Sequence, residues 1–183
     1  MDSPDDELMR RCAREDDPAA FEQIVRGHQE RLLRYAARML GGDTDAAADV
    51  VQDAFLTLWT GRHGYRPCGR LRAFLLRTVH NRCLDDRRSP RHRRSLPLAD
   101  CPEPAAPFAP EFAGDVVRDA VMDLSEPLRA VFLLSEYEGL TYAEIAEALD
   151  CPMGTVASRK HEAVARLRRA LAPWFPSEKG GTK

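Results

Sequence analysis

Residues 141–171 read TYAEIAEALDCPMGTVASRKHEAVARLRRAL. Thr141 and Glu144 make a T-x-x-E capping box, in which a hydroxyl and a carboxylate each satisfy a free amide at a helix start. Apolar Ile145, Ala146 and Leu149 follow directly. The turn Asp150-Cys151-Pro152 ends that short helix and puts Asp150 where a left-handed residue is needed, a conformation Asp tolerates better than most. A longer amphipathic helix then carries Val156, Ala163, Val164, Leu167 and Leu171 inward at helical spacing. Small Ala146 lets the two helices approach, and Val156 packs between them. The pattern is that of a helix-turn-helix. Its outward stripe is Thr155, Ser158, Arg159, Glu162 and Arg166. Hydroxyls and guanidinium groups near a helix N-terminus reach phosphates and base edges, and arginine pairs with guanine. A plain helical hairpin with a solvated face is the competing reading of the same residues.

Upstream, Ser125 caps a helix burying Leu128, Val131, Phe132 and Leu134 and stopped by Gly139, with a short helix over Asp115 to Leu124 before it. Six prolines between Ser89 and Pro110 exclude helix or central strand there and predict a linker. Three helices precede it. The first opens on Asp17-Pro18, carries Phe21, Ile24, Val25, Leu32, Tyr35, Ala36 and Met39 on one stripe, and ends at Gly41-Gly42. The second, from Asp43 or Thr44, buries Ala47, Val50, Val51, Ala54, Phe55 and Leu58 and presents Asp49, Gln52, Asp53 and Leu56 opposite. After the irregular GRHGYRPCG, a third runs from about Arg70 to Arg88 with Leu71, Leu75, Val79 and Cys83 at i+4 spacing. No strand alternation is sustained, so the expected fold is all-α: two small helical domains joined by a Pro-rich linker. The expected boundaries are an acidic N-terminal segment 1–17, a helical bundle 18–88, the linker 89–114, the helix-turn-helix domain 115–172 and a flexible tail 173–183.

The formal net charge of −2 over 183 residues hides a sorted distribution. Residues 62–98 carry +9 and 151–183 carry +5, whereas 1–20, 21–61 and 99–150 carry −4, −2 and −10. Two basic blocks between acidic ones point to two polyanion-facing surfaces on a chain that is not basic overall. No run of 18 apolar residues occurs, and MDSPDDEL is unlike a secretory signal, so the expected location is the cytoplasm, with no direct membrane insertion. Five cysteines without a C-x-x-C pair argue against a disulfide framework or a four-cysteine zinc site.

Arg72, Arg77, Arg82, Arg87 and Arg88, with His80 and Asn81 among them, make the third helix basic, and Trp59 and Tyr65 lie just before it. Basic residues beside aromatics suit unstacked DNA, although Trp59 and Phe74 read more naturally as core. Asp49, Gln52 and Asp53 are either a solvated face or a protein-docking surface, since no basic i+4 partners accompany the acids. Cys68, His80, Cys83, Asp85 and Asp86 match no tight zinc signature, and Cys83 falls on the apolar stripe. Neither a Ser-His-Asp set nor a Gly-rich phosphate loop is present. The expectation is a binding protein, not an enzyme, with no cofactor and no metal.

Taken together, three strings resemble a known family. DAAADVVQDAFLTLW looks like region 2.2 of bacterial sigma factors, RLRAFLLRTVHNRCLDDRR like regions 2.3 to 2.4, and LSEPLRAVFLLSEYEGLTYAEIAEALDCPMGTVASR like region 4. The order, spacing and short linker are similar to the extracytoplasmic-function (ECF, group 4) sigma factors, over about residues 18–88 and 115–172. The resemblance implies that Asp49, Gln52 and Asp53 dock on the β′ clamp helices of core RNA polymerase. It further implies that region 4 meets the β flap, and that an anti-sigma factor is a partner. For promoter DNA it implies that Arg77, His80, Asn81, Arg87 and Arg88, with the loop Gly61 to Gly69, melt and read the minus-10 element. Thr155, Ser158, Arg159 and Arg166 would then serve the minus-35 element. The chain departs from the family pattern at Asp150, Ala157, Lys160 and Glu162. The implied function is a bacterial transcription initiation factor. The alternative from another class is a self-sufficient dimeric helix-turn-helix regulator that binds DNA without polymerase.

Overall fold

The computed structural model describes residues 3–66, 69–88 and 111–175, with side-chain placement excepted at 87–88 and 111–114. Among these residues there are only helices, joined by turns: α1 (Pro4–Glu15), α2 (Pro18–Met39), α3 (Thr44–Thr60), a 3-10 turn (Arg62–Gly64), α4 (Leu71–Arg88), α5 (Glu111–Met122), α6 (Glu126–Glu136), α7 (Tyr142–Ala148) and α8 (Met153–Leu171). None is long and apolar enough to cross a membrane.

The first four helices bundle around Ile24, Leu32, Tyr35, Met39, Ala54, Leu75, Leu76 and Val79, all at most 2% exposed. Asp17 caps α2 by accepting from the amides of Ala19 and Ala20, with Pro18 at the first helical position. Gly41 and Gly42, at φ 78° and 92°, turn the chain out of α2 through a conformation closed to most side chains. Within the expected acidic N-terminal segment 1–17, residues 4–15 form α1, a full member of this bundle. Ser3 and Asp6 form a capping box, Pro4 occupies the first turn, and Met9 and Cys12 are completely buried. Two core positions among many charges gave too thin an apolar stripe to betray the helix.

In the second bundle, Leu128, Val131, Leu134, Ile145, Val156 and Ala163 are buried. Helix α5 begins at Glu111, four residues before the expected Asp115, and of the expected linker only 89–110 lies outside the described residues. The described start of the expected tail, residues 173–175, is a turn after α8. Arg129, 6% exposed, donates to the carbonyl oxygens of Met122 and Leu124 and so satisfies acceptors left open where α5 ends. The T-x-x-E capping box forms as read, Thr141 Oγ1 accepting from the Glu144 amide and Glu144 accepting from the Thr141 amide. Asp150 adopts φ 49°, the left-handed turn assigned to it.

The bundles also touch. Glu138, 5% exposed, sits with Oε2 3.2 Å from Arg31 Nε and 3.5 Å from an Arg72 Nη. Burial raises its pKa, and the two guanidinium groups only partly oppose that. Arg38 lies 4.2 Å from the centre of the Tyr137 ring, and Arg70 pairs with Glu147 at 2.8 Å. Helix α7 thereby rests on α4.

Candidate protein and nucleic-acid interfaces

Helix α3 buries Ala47, Val50, Val51, Ala54, Phe55 and Leu58, which forces Asp49, Gln52, Asp53 and Leu56 to the opposite, exposed face. Leu56 is 53% exposed, a large apolar side chain that folding alone does not account for. Beside it, an open groove of about 520 Å³ runs between α2 and α3, with Phe21, Val25, Leu33, Gln52, Phe55 and Leu56 among its walls. The α2 half of this surface escaped the sequence reading, because Phe21 and Val25 fall on a regular core stripe and nothing in their spacing marks them as half-covered. Asp53 faces Arg82 of α4 at 3.8 Å, with both side chains about half exposed.

Helix α4 divides its residues by depth. Arg77, Asn81 and Arg82 are exposed, while Leu75, Leu76, Val79 and Cys83 are buried. A shallow pocket of about 330 Å³ gathers Thr57, Phe74, Arg77, Thr78, Asn81, Arg82 and Asp85. Phe74, expected in the core, is 41% exposed and stands beside Asn81. His80 must be corrected in the other direction. It was expected at the DNA, yet it is 8% exposed, and its Nδ1 lies 3.0 Å from the Tyr35 hydroxyl. Burial lowers its pKa to about 4, so the ring is neutral at pH 7 and offers DNA neither charge nor access. Arg87 and Arg88 end α4, but their side chains lie outside the described residues.

The irregular segment before α4 is held by side chains. Arg62 donates to Asp16 at 2.6 and 2.9 Å and to the Trp59 carbonyl at 2.8 Å, and its guanidinium lies over the Trp59 ring. Trp59 packs on Phe21 with ring centres 4.9 Å apart. Pro67 and Cys68, within the expected loop Gly61 to Gly69, fall outside the described residues.

On α8, Val156, Ala163 and Leu167 face the core, which turns Ser158, Glu162 and Arg166 to solvent and leaves Thr155 and Arg159 half-buried. Ser158 Oγ donates to the Thr155 carbonyl at 3.0 Å, and Arg166 pairs with Glu162 at 2.6 Å. Lys160, which takes a position where the inward stripe calls for an apolar residue, reaches across to Ser135 Oγ and Glu136 Oε1 and ties α8 to the end of α6. That contact lowers the Glu136 pKa, chiefly through the Lys160 hydrogen bond. No cluster of three or more His, Cys, Asp or Glu side chains suited to a metal occurs among the described residues.

Comparison with known proteins agrees with this geometry. The family model described as Sigma-70 region 2 matches residues 24–94, and that described as Sigma-70, region 4 matches residues 115–167. The chain is 39% identical over 159 residues to the ECF RNA polymerase sigma factor SigL of Mycobacterium tuberculosis, across 84% of this chain and 89% of that protein. It is 28% identical over 184 residues to the RNA polymerase sigma-H factor of Pseudomonas aeruginosa, across 92% and 94% of the two chains. Among solved structures it is similar to CnrH in complex with the cytosolic domain of CnrY, with TM-score 0.71 and 27% identity over 93% of this chain and 99% of that one. Its fold is also that of RpoE in complex with the anti-sigma factor NepR from Bartonella quintana, with TM-score 0.70 and 24% identity over 82% and 96% of the chains. A self-sufficient helix-turn-helix regulator would match in region 4 alone; here both regions match, in order and along nearly the whole length of the relatives, and the chain belongs to the ECF RNA polymerase sigma factors, which are transcription initiation factors and not enzymes.

Proposed function

We propose that residues 18–88 bind core RNA polymerase and open the minus-10 element, while residues 115–172 hold the minus-35 element and meet the β flap. The chain would do so in the cytoplasm, under the control of an anti-sigma factor. The observation that carries this reading is the solvent face of α3, where Gln52 and half-exposed Leu56 line an apolar groove and Asp49 and Asp53 are exposed on the same helix face. Acids fix orientation and a desolvated apolar centre supplies affinity, the usual division of labour in a protein interface.

Asp53→Arg is the test. Core affinity should fall at least about tenfold, because the new charge meets a surface that accepted a carboxylate. Helicity and thermal stability should change little, since the substitution costs only a loose, half-exposed pair with Arg82, worth under about 1 kcal/mol. Unaltered affinity for core enzyme would sink the proposal.

DNA opening is assigned to the exposed side of α4. Duplex DNA gives up a few kcal/mol for each unstacked step, and contacts to the extruded base must offset that loss. Phe74 offers a ring for stacking, and Asn81, Arg77 and Arg82 offer donors beside it. Asn81→Ala should therefore slow open-complex formation on duplex promoters by about tenfold and on a pre-melted bubble much less, because there the unstacking cost has already been met. Equal losses on the two templates would remove Asn81 from the opening step.

A further inference from the structure

Helix α1 lies outside the region 2 match, which begins at residue 24, yet it is bonded near both ends to residues that precede α4. Near its end, the Ala13 carbonyl is 2.9 Å from His63 Nδ1, and Asp16, just beyond the helix, holds Arg62. Near its start, Asp6 Oδ1 accepts from the Tyr65 hydroxyl at 3.0 Å and Oδ2 accepts from the Gly69 amide at 2.8 Å. Asp6 is only 2% exposed. Burial alone would raise its pKa, but the bonds from Tyr65, Gly69 and Ser3 outweigh it and leave the pKa below the usual 3.8. The carboxylate is charged at all working pH values and makes charge-assisted bonds, roughly twice as strong as neutral ones. Gly69 has φ 69°, so this one bond fixes a backbone turn that few other residues could adopt.

We infer that Asp6 is a positioning residue for promoter reading: from α1 it fixes Tyr65 and the backbone at Gly69, and so the orientation in which exposed His63 and Arg66 meet the minus-10 element. The inference rests on the proposed minus-10 role of this loop. Its physical basis is that base discrimination needs donors held to a fraction of an ångström, which a loop achieves only when a second set of groups fixes it. Helix α1 is packed by Met9 and Cys12 and is rigid enough to serve as that support.

The experiment uses the full chain with its cognate core enzyme on a duplex library randomised over the minus-10 and minus-35 positions, with sequencing of the transcribed templates. Asp6→Ala should flatten base preference in the minus-10 element by about tenfold, the discrimination carried by one well-placed contact. Preference in the minus-35 element and affinity for core enzyme should be unchanged. Tyr65→Phe removes one hydroxyl and keeps the ring; it should flatten the same positions by about threefold, as expected for a single lost bond. This variant decides the matter if Asp6→Ala does not fold. Asp6→Asn, which keeps one acceptor oxygen, should fall between wild type and Asp6→Ala. A purely structural role would lower thermal stability and leave the base preferences intact, and that result overturns the inference. Arg66→Ala separates the two ideas. If it reshapes minus-10 preference while the Asp6 and Tyr65 variants do not, the positioning role fails alone. If neither Arg66→Ala nor His63→Ala alters minus-10 preference, the loop reading fails and takes the inference with it.

Discussion

Arg159→Ala lowers holoenzyme affinity for a template carrying the preferred minus-35 sequence by about 1–3 kcal/mol, the range for one good base contact. The expectation follows from where α8 places its basic groups. Lys160 is engaged with Ser135 and Glu136 and cannot turn to DNA without loosening α8 from α6. Arg166 is held by Glu162 in an exposed i,i+4 pair, and such pairs are worth only a few tenths of a kcal/mol, so a phosphate displaces it easily. Arg159 makes no ion pair among the described residues and stands one turn into the helix beside Ser158. On templates with the minus-35 element scrambled, the loss from Arg159→Ala should shrink. Arg166→Ala should instead weaken all templates alike and reduce the slope of log affinity against log salt by about 1. Binding titrations at several salt concentrations, on a sequence selected from a random library, measure both effects. A uniform loss for Arg159→Ala would make it a phosphate contact and shift base reading to Thr155 and Ser158.

The helices themselves were legible because their signals are local. The capping box at Thr141, the cap and proline at Asp17-Pro18, the paired glycines at 41–42 and the left-handed Asp150 are each written within a few residues, and each is realised. Helix α1 was not legible, since its two buried apolar residues, Met9 and Cys12, gain their meaning only from α2 and the turn after α3. Depth on α4 was half legible. Its i+4 stripe of Leu71, Leu75, Val79 and Cys83 is buried as read, but His80 and Phe74 sit on the flanks of that stripe. Which flank is covered depends on Tyr35 of α2 for His80, and no periodicity within α4 carries that information. Interactions such as Glu138 with Arg31 and Arg72 join segments far apart in sequence and leave no local mark.

His80 also gives the fold a pH dependence. Its ring is held neutral, its pKa lowered from 6.5 to about 4 by burial, with Nδ1 placed to accept from the Tyr35 hydroxyl. Burial likewise raises the Tyr35 pKa well above its usual value, with Cys83, Glu138 and Glu126 adding to the effect, so the phenol remains a donor. Because the folded-state pKa is depressed, the unfolded chain binds the proton more readily. The stability tied to His80 is then whole above pH 6.5 and is lost as the pH falls toward 4. A shift of this size corresponds to a loss of about 2 kcal/mol by pH 5 and about 3 kcal/mol by pH 4. Those figures are a sizeable part of what holds a small domain together. Urea unfolding of the full chain at pH 7, 5 and 4 measures the wild-type decline, to which carboxylates elsewhere contribute as well. His80→Gln, which keeps an amide able to bond Tyr35 but cannot titrate, isolates the histidine. The variant should start less stable at pH 7 because its packing is imperfect. Its decline toward pH 4 should be shallower than the wild type by about 3 kcal/mol. Parallel declines in the two proteins would mean that the ring takes up its proton without leaving the core. Since Arg77 and Asn81 point outward only while Val79 and His80 point inward, the same titration should lower minus-10 opening on duplex templates over the pH range in which stability falls.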